Sequence, residues 1–256
     1  MNPQSLIFLA VMGLMIGSFL NVCIGRLPAG ESVVTPGSRC PSCRAAIRWY
    51  DNIPVVSYLA LRGRCRKCRA SISVRYPIVE ATTAVAFVAQ GLAVGPDVWL
   101  LTQRLVLTAL LITMFGTDLE TQRLPNVLTL PGILVGFVFS VMVPPGPLGS
   151  ALGIALGGGV LLAIRSGWKA VTGVDGMGLG DVKMLAMVGA FLGWQQVVVV
   201  LLFASISGAV IGILMTMLQG KSLQHRLPFG TFLAIGAFTA SLSGDAVVAW
   251  YLQFYR

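Results

Sequence analysis

An all-α integral membrane protein with about eight transmembrane helices and one small cytoplasmic insertion is the fold class this sequence predicts, on three observations. Hydrophobic residues fill 56% of the 256 positions and charged residues only 11%, too little polar surface to cover a water-soluble globule. Apolar runs approaching the roughly 20 residues needed to cross a bilayer recur along the whole chain. Ten of the eighteen basic residues lie between Arg26 and Arg75, beside only Glu31 and Asp51. A loop so charged stays on the cytoplasmic side, where anionic headgroups attract it. The same clustering explains the net charge of +9 without nucleic acid, which is not an expected partner.

The first apolar run, 6–25, has no basic residue before it and no small-residue cleavage site after it, so it reads as a retained helix with its N-terminus outside. The cytoplasmic insertion, 26–76, follows. Further spans are expected at 77–94, 98–117, 126–143, 148–165, 181–194, 197–219 and 229–243. With this topology Arg123, Arg165, Lys169, Lys183, Lys221 and Arg226 fall at inner loops or helix ends, while the outer loops GPD, PPGPLGS and GWQQ carry no Lys or Arg. Arg104 lies inside the third span, where a charge must pair, snorkel or face a cavity, and its partner is not legible. Gly157, Gly158 and Gly159 predict close backbone packing in the fifth span. No internal repeat is evident. The domain division expected is a first helix (1–25), the insertion (26–76) and a polytopic membrane domain (77–256).

Inside the insertion stand Cys40-Pro-Ser-Cys43 and Cys65-Arg-Lys-Cys68. Two such knuckles supply four thiolates, the shell that Zn²⁺ takes in closed structural sites. A reducing cytoplasm disfavours disulfides, and a loop with few large aliphatic residues needs a staple to fold. Zinc at Cys40, Cys43, Cys65 and Cys68 is therefore expected to be structural. Cys23, in the first apolar run, reads as a small packed hydrophobe.

Charges are rare in the spans, so Asp118 in FGTDLETQRLPN and Asp181 in GMGLGDVKM stand out. The topology puts one at the inner end of the third span and the other at the inner start of the sixth. Two close carboxyl groups share a proton and divide into an acid and a base, which is what peptide hydrolysis by aspartates requires. Gly176, Gly178 and Gly180 let an extended peptide backbone pass near Asp181. The plainer alternative is that Asp181 caps its helix and Asp118 ends its own at the interface.

GSFLNVCIGRLP, the paired knuckles flanking YDNIPVVSYLALRGRC, SVRYPIVE, DLETQRLPN, GMGLGDVKM and LPFGTFLAIGA, in this order, resemble the bacterial prepilin peptidases (type IV leader peptidases) across nearly the whole chain. The resemblance implies a GxGD-type aspartic peptidase with Asp118 and Asp181 as its catalytic pair. It also implies cleavage of basic leaders from type IV prepilins and type II secretion pseudopilins at the inner membrane, then N-methylation of the new terminus with S-adenosyl-L-methionine. No nucleotide-binding fingerprint shows the methyl-donor site independently. Two departures are small: LPN stands where relatives often have LPD, and Leu179 where glycine is frequent.

Around this pair, Gly178, Gly180 and Lys183 are expected to form the substrate loop, although Lys183 also suits a headgroup contact. Glu120, two residues past Asp118, points to another helix face and is expected to be solvated or arginine-paired. Glu31, Asp51 and Glu80 are candidates for substrate or methyl-donor contacts, with loop salt bridges equally expected. Asp175 is expected to serve turn chemistry. His225 is the only histidine, and neither HExxH nor GxSxG occurs, which disfavours serine and metalloprotease classes. The rival of another class is a transporter or proton relay with a zinc-ribbon partner-binding loop.

Overall fold

A computed structural model describes residues 1–219 and 228–255. His225 lies outside these residues, as do Lys221 and Arg226. Among the described residues there is no strand, only two isolated β-bridges, and nine α-helices: α1 Pro3–Arg26, α2 Val56–Ala60, α3 Arg75–Val94, α4 Val98–Thr121, α5 Asn126–Ser140, α6 Gly146–Thr172, α7 Leu179–Leu192, α8 Trp194–Gln219 and α9 Phe229–Leu252. Each expected span falls on a helix. Six of them are long and apolar enough to cross a membrane, and the protein is a multi-pass membrane protein. Helices α5 and α7, with 15 and 14 residues, fall short of the 20 or so that crossing requires. Helix α5 also contains Pro131.

The chain divides into two compact units, Met1–Pro96 and Asp97–Arg256. In the first, α1 packs along α3. A side-chain carbon at Gly13 would come within 2.6 Å of the Ala84 Cα, and one at Gly17 within 2.7 Å of the Glu80 Cα. Only glycine permits such a crossing, and the crossing brings Glu80 beside the α1 residues that follow Gly17.

In the second unit α7 is buried along nearly its whole length, from Val182 through Leu192 except Lys183, and forms the core with parts of α4, α8 and α9. Helices α6 and α7 meet backbone to backbone. A carbon at Gly153 would lie 2.2 Å from the Gly189 carbonyl oxygen, and one at Gly157 2.5 Å from that of Leu185. This corrects the expectation for the Gly157–Gly158–Gly159 run. Gly157 does pack on backbone, Gly158 meets only the Ala186 side chain at 3.5 Å, and Gly159 faces open space. Gly153, one turn earlier on the same helix face, is the second contact.

Arg104 finds its electrostatic partner in Asp245 of α9. Asp245 in turn accepts a 2.7 Å hydrogen bond from the Gln196 side chain. The residue unpartnered in sequence thus joins a polar cluster linking α4, α8 and α9.

Candidate active site

Asp118 sits in the last turn of α4 and is 5% exposed. Its carboxylate faces the start of α9, where Oδ2 accepts a 2.8 Å hydrogen bond from the Thr231 N–H and the Gly230 N–H also donates to the group. Thr231 and Gly230 belong to the first turn of α9, whose N–H groups have no partner within the helix. An anion from another helix satisfies them and meets the favourable end of the helix dipole. Gly230 is required here, since a side-chain carbon would fall 2.9 Å from Asp118 Oδ2.

Asp181 is the third residue of α7, after the N-cap Gly178. Its carboxylate accepts from the Gly178 N–H, so the helix start holds the side chain in place. The capping role weighed against catalysis is therefore present in the geometry, and it orients the carboxylate instead of replacing it. Asp118 and Asp181 lie within electrostatic reach of each other.

Leu124, in the link from α4 to α5, sets this approach. It packs against both Gly180 and Gly230, and a carbon at either position would come within 3.0 or 3.1 Å of the leucine side chain. The starts of α7 and α9 thus close on one leucine. Lys183 is tied to a neighbouring helix. Its Nζ donates a 2.8 Å hydrogen bond to Asn126 Oδ1, tying α7 to the first residue of α5.

Asp175 departs from its expected turn role. It forms ion pairs with Arg165 at 3.1 Å and Lys169 at 3.3 Å on α6, and these cations hold its carboxyl below the usual range. Beside it Gly176 packs on the Trp168 ring. The glycine loop before Asp181 is therefore anchored to α6 at its beginning and to α7 at its end. Glu120 is exposed, away from the buried aspartate.

The first unit carries the cysteine cluster. The four Sγ atoms lie within 4.8 Å of one another, with Cys40 and Cys68 3.8 Å apart. Tetrahedral Zn–S bonds of about 2.3 Å place sulfurs about 3.8 Å apart, so the donor set could hold a metal ion with little movement. Each knuckle is preorganised in the same way. The N–H groups of Cys43 and Ser42 point at the Cys40 sulfur and bring its thiol down to about 6. Those of Cys68 and Lys67 lower Cys65.

The backbone repeats too, with Cys40 N–H donating to Ala45 O and Cys65 N–H to Ala70 O, and with Arg44 and Arg69 both at positive φ. The expectation of no internal repeat is thus corrected: RCPSCRAAI at 39–47 and RCRKCRASI at 64–72 are two copies of one knuckle. Of the insertion's acids, Asp51 is paired with Arg66 through three hydrogen bonds of 2.7–3.1 Å.

Comparison with known proteins matches residues 11–94 to the bacterial peptidase A24 N-terminal domain and residues 105–213 to the type IV leader peptidase family. The prepilin leader peptidase/N-methyltransferase of Aeromonas salmonicida (strain A449) is 39% identical over 97% of this chain and 94% of its own. Those of Stutzerimonas stutzeri and Pseudomonas aeruginosa are 39% and 38% identical, covering 100% and 95% of this chain and 96% and 92% of their own. The chain belongs to the type IV leader peptidase family. No solved structure gives a match.

For this leader peptidase family member, sequence reasoning missed three site residues: Leu124, Gly230 and Thr231. The signal for two of them was the LPFG segment, a polar-cap-free helix start whose first amides need an acceptor.

Proposed function

We propose that this protein is a membrane aspartic endopeptidase that removes the leaders of type IV prepilins and type II secretion pseudopilins, then N-methylates the residue it exposes. The observation that carries the reading is the meeting of Asp118 and Asp181, each held by backbone N–H groups at the start of a different helix. The N-terminus is outside and the insertion and aspartates face the cytoplasm of the bacterial inner membrane, as the basic loop requires.

Two carboxyl groups in mutual electrostatic contact hold one proton between them. The ionised member takes a proton from water, whose oxygen attacks the scissile carbonyl carbon. The protonated member gives its proton to the carbonyl oxygen, forming a tetrahedral diol. A proton then passes to the amide nitrogen, the C–N bond breaks, and the amine leaves with the acid restored. Gly180 lets the start of α7 close on Leu124 and Gly178 gives its N–H to Asp181, while Lys183 and Asp175 hold the loop's surroundings. A substrate with a basic leader and an apolar helix enters from the lipid, its leader drawn to anionic headgroups.

Cys40, Cys43, Cys65 and Cys68 would hold structural Zn²⁺, closing the insertion around a four-thiolate shell. S-adenosyl-L-methionine would supply an electrophilic methyl group to the neutral amine of the new terminus.

The test is cleavage of a prepilin by wild type, Asp118→Asn and Asp181→Asn in membranes, after insertion and folding have been checked. Asparagine keeps size and removes acid–base function. Both variants are expected to lose at least about a hundredfold in rate. Wild-type rates in either would remove that aspartate from the chemistry.

A further inference from the structure

The first unit contains a cavity of about 1330 Å³, bounded by the insertion and the facing ends of α1 and α3. Its size exceeds what a nucleoside-sized ligand needs and leaves room for the end of a peptide. Two of its lining groups are buried and chemically unfinished. Glu80 is 6% exposed, and the groups that hydrogen-bond its carboxylate, the Val55 N–H at 2.7 Å and the Ser18 hydroxyl, are both neutral. Asn21 is 2% exposed. Its Nδ2 donates to Gly17 O and Tyr76 O, while its Oδ1 has no partner.

A buried carboxylate with only neutral donors is costly unless positive charge reaches it, and an unpaired buried acceptor calls for a donor. Both lie on the α1–α3 crossing made possible by Gly17. The Val55 contact is also built in at a cost, because this β-branched residue sits at φ 60, a conformation such side chains rarely adopt. The rest of the lining is rich in arginine, including Arg26, Arg39 and Arg48. A ligand suited to this arrangement presents cations and N–H donors inward and a carboxylate outward.

We propose that this cavity is the methyl-donor site, with Glu80 receiving the positive charge of S-adenosylmethionine and Asn21 Oδ1 accepting one of its N–H groups. The proposal rests on the methyl-transfer half of the proposed function. It extends that reading by assigning residues of the chain's own first unit to the donor.

The test is calorimetric titration of S-adenosylmethionine into the full-length, zinc-loaded protein in detergent, for wild type, Glu80→Gln, Asn21→Ala and the exposed control Glu120→Gln. Glutamine retains an acceptor for the Val55 N–H, so a purely structural Glu80 would tolerate it. Donor affinity is expected to fall more than tenfold in Glu80→Gln and at least fivefold in Asn21→Ala, with zinc content unchanged and Glu120→Gln within twofold of wild type. Wild-type affinity in Glu80→Gln would overturn the site and leave methyl transfer standing. A wild type that cleaves prepilin but binds no donor would overturn the site and leave the peptidase standing. Should Glu80→Gln lose zinc, the Asn21→Ala affinity decides: unchanged binding overturns the proposal.

Discussion

The cysteine cluster and the aspartate pair both gather residues from separate segments, yet they are built by opposite means. Cys40 and Cys68 are 28 positions apart, and each knuckle shapes itself through local N–H bonds to sulfur and a positive-φ arginine. Asp118 reaches Thr231 across 113 positions, and nothing local holds it there. Its position depends on the packing of α4, α7 and α9 around Leu124. The loop is thus a local design suited to a metal ion, while the aspartate site is a consequence of a close-packed bundle. Damage to the metal should be confined to the loop's own order, and damage to helix packing should reach the aspartates without touching a catalytic atom.

Metal removal should produce the largest effect. Chelation, or Cys65→Ser, is expected to cost the insertion on the order of 10 kcal/mol of metal-linked folding free energy. Metal analysis should fall to zero and limited proteolysis should begin within 30–74. An insertion that stays protease-resistant without metal would show that the knuckles fold unaided. Next comes Gly153→Leu, which forces a side chain against the Gly189 carbonyl where only backbone can yield. A loss of about 3 kcal/mol is expected, read as a lower melting midpoint with reduced cleavage. Gly159→Leu, which meets nothing within 4 Å, is its matched control.

Lys183→Met, which removes the Asn126 bond, should cost about 1 kcal/mol and slow cleavage severalfold. Unchanged cleavage kinetics would reduce that lysine to a surface anchor. Asp51→Asn should have the smallest effect. Arg66 lowers the Asp51 carboxyl below its ordinary range, so the pair's contribution is complete above about pH 4 and fades as pH falls through the depressed value. The variant's deficit, below about 2 °C in melting midpoint, should accordingly vanish in acid.

Much of this was legible without coordinates. Helix positions followed from apolar runs because lipid leaves the backbone few options. The knuckles followed from spacing because their geometry is local, and the exchange of Asp175 from turn former to ion-pair partner was missed because the loop after α6 folds Asp175 back onto Arg165 and Lys169 of that helix. Glu80 was one of three equivalent acids by sequence. The structure separated it from Asp51 by burying it among neutral donors while Asp51 met an arginine.

By itself, then, the sequence determined a multi-pass helical protein, a four-cysteine insertion and two aspartates worth attention, since composition, period and short spacing encode these directly. Only the tertiary structure decided that Gly153 and Gly157 rather than the run 157–159 set the α6–α7 crossing. It also decided that the first amides of α9 hold Asp118, and that Arg104 answers Asp245. These are pairings between distant helices, and no pattern along one chain segment records which face of another will arrive there.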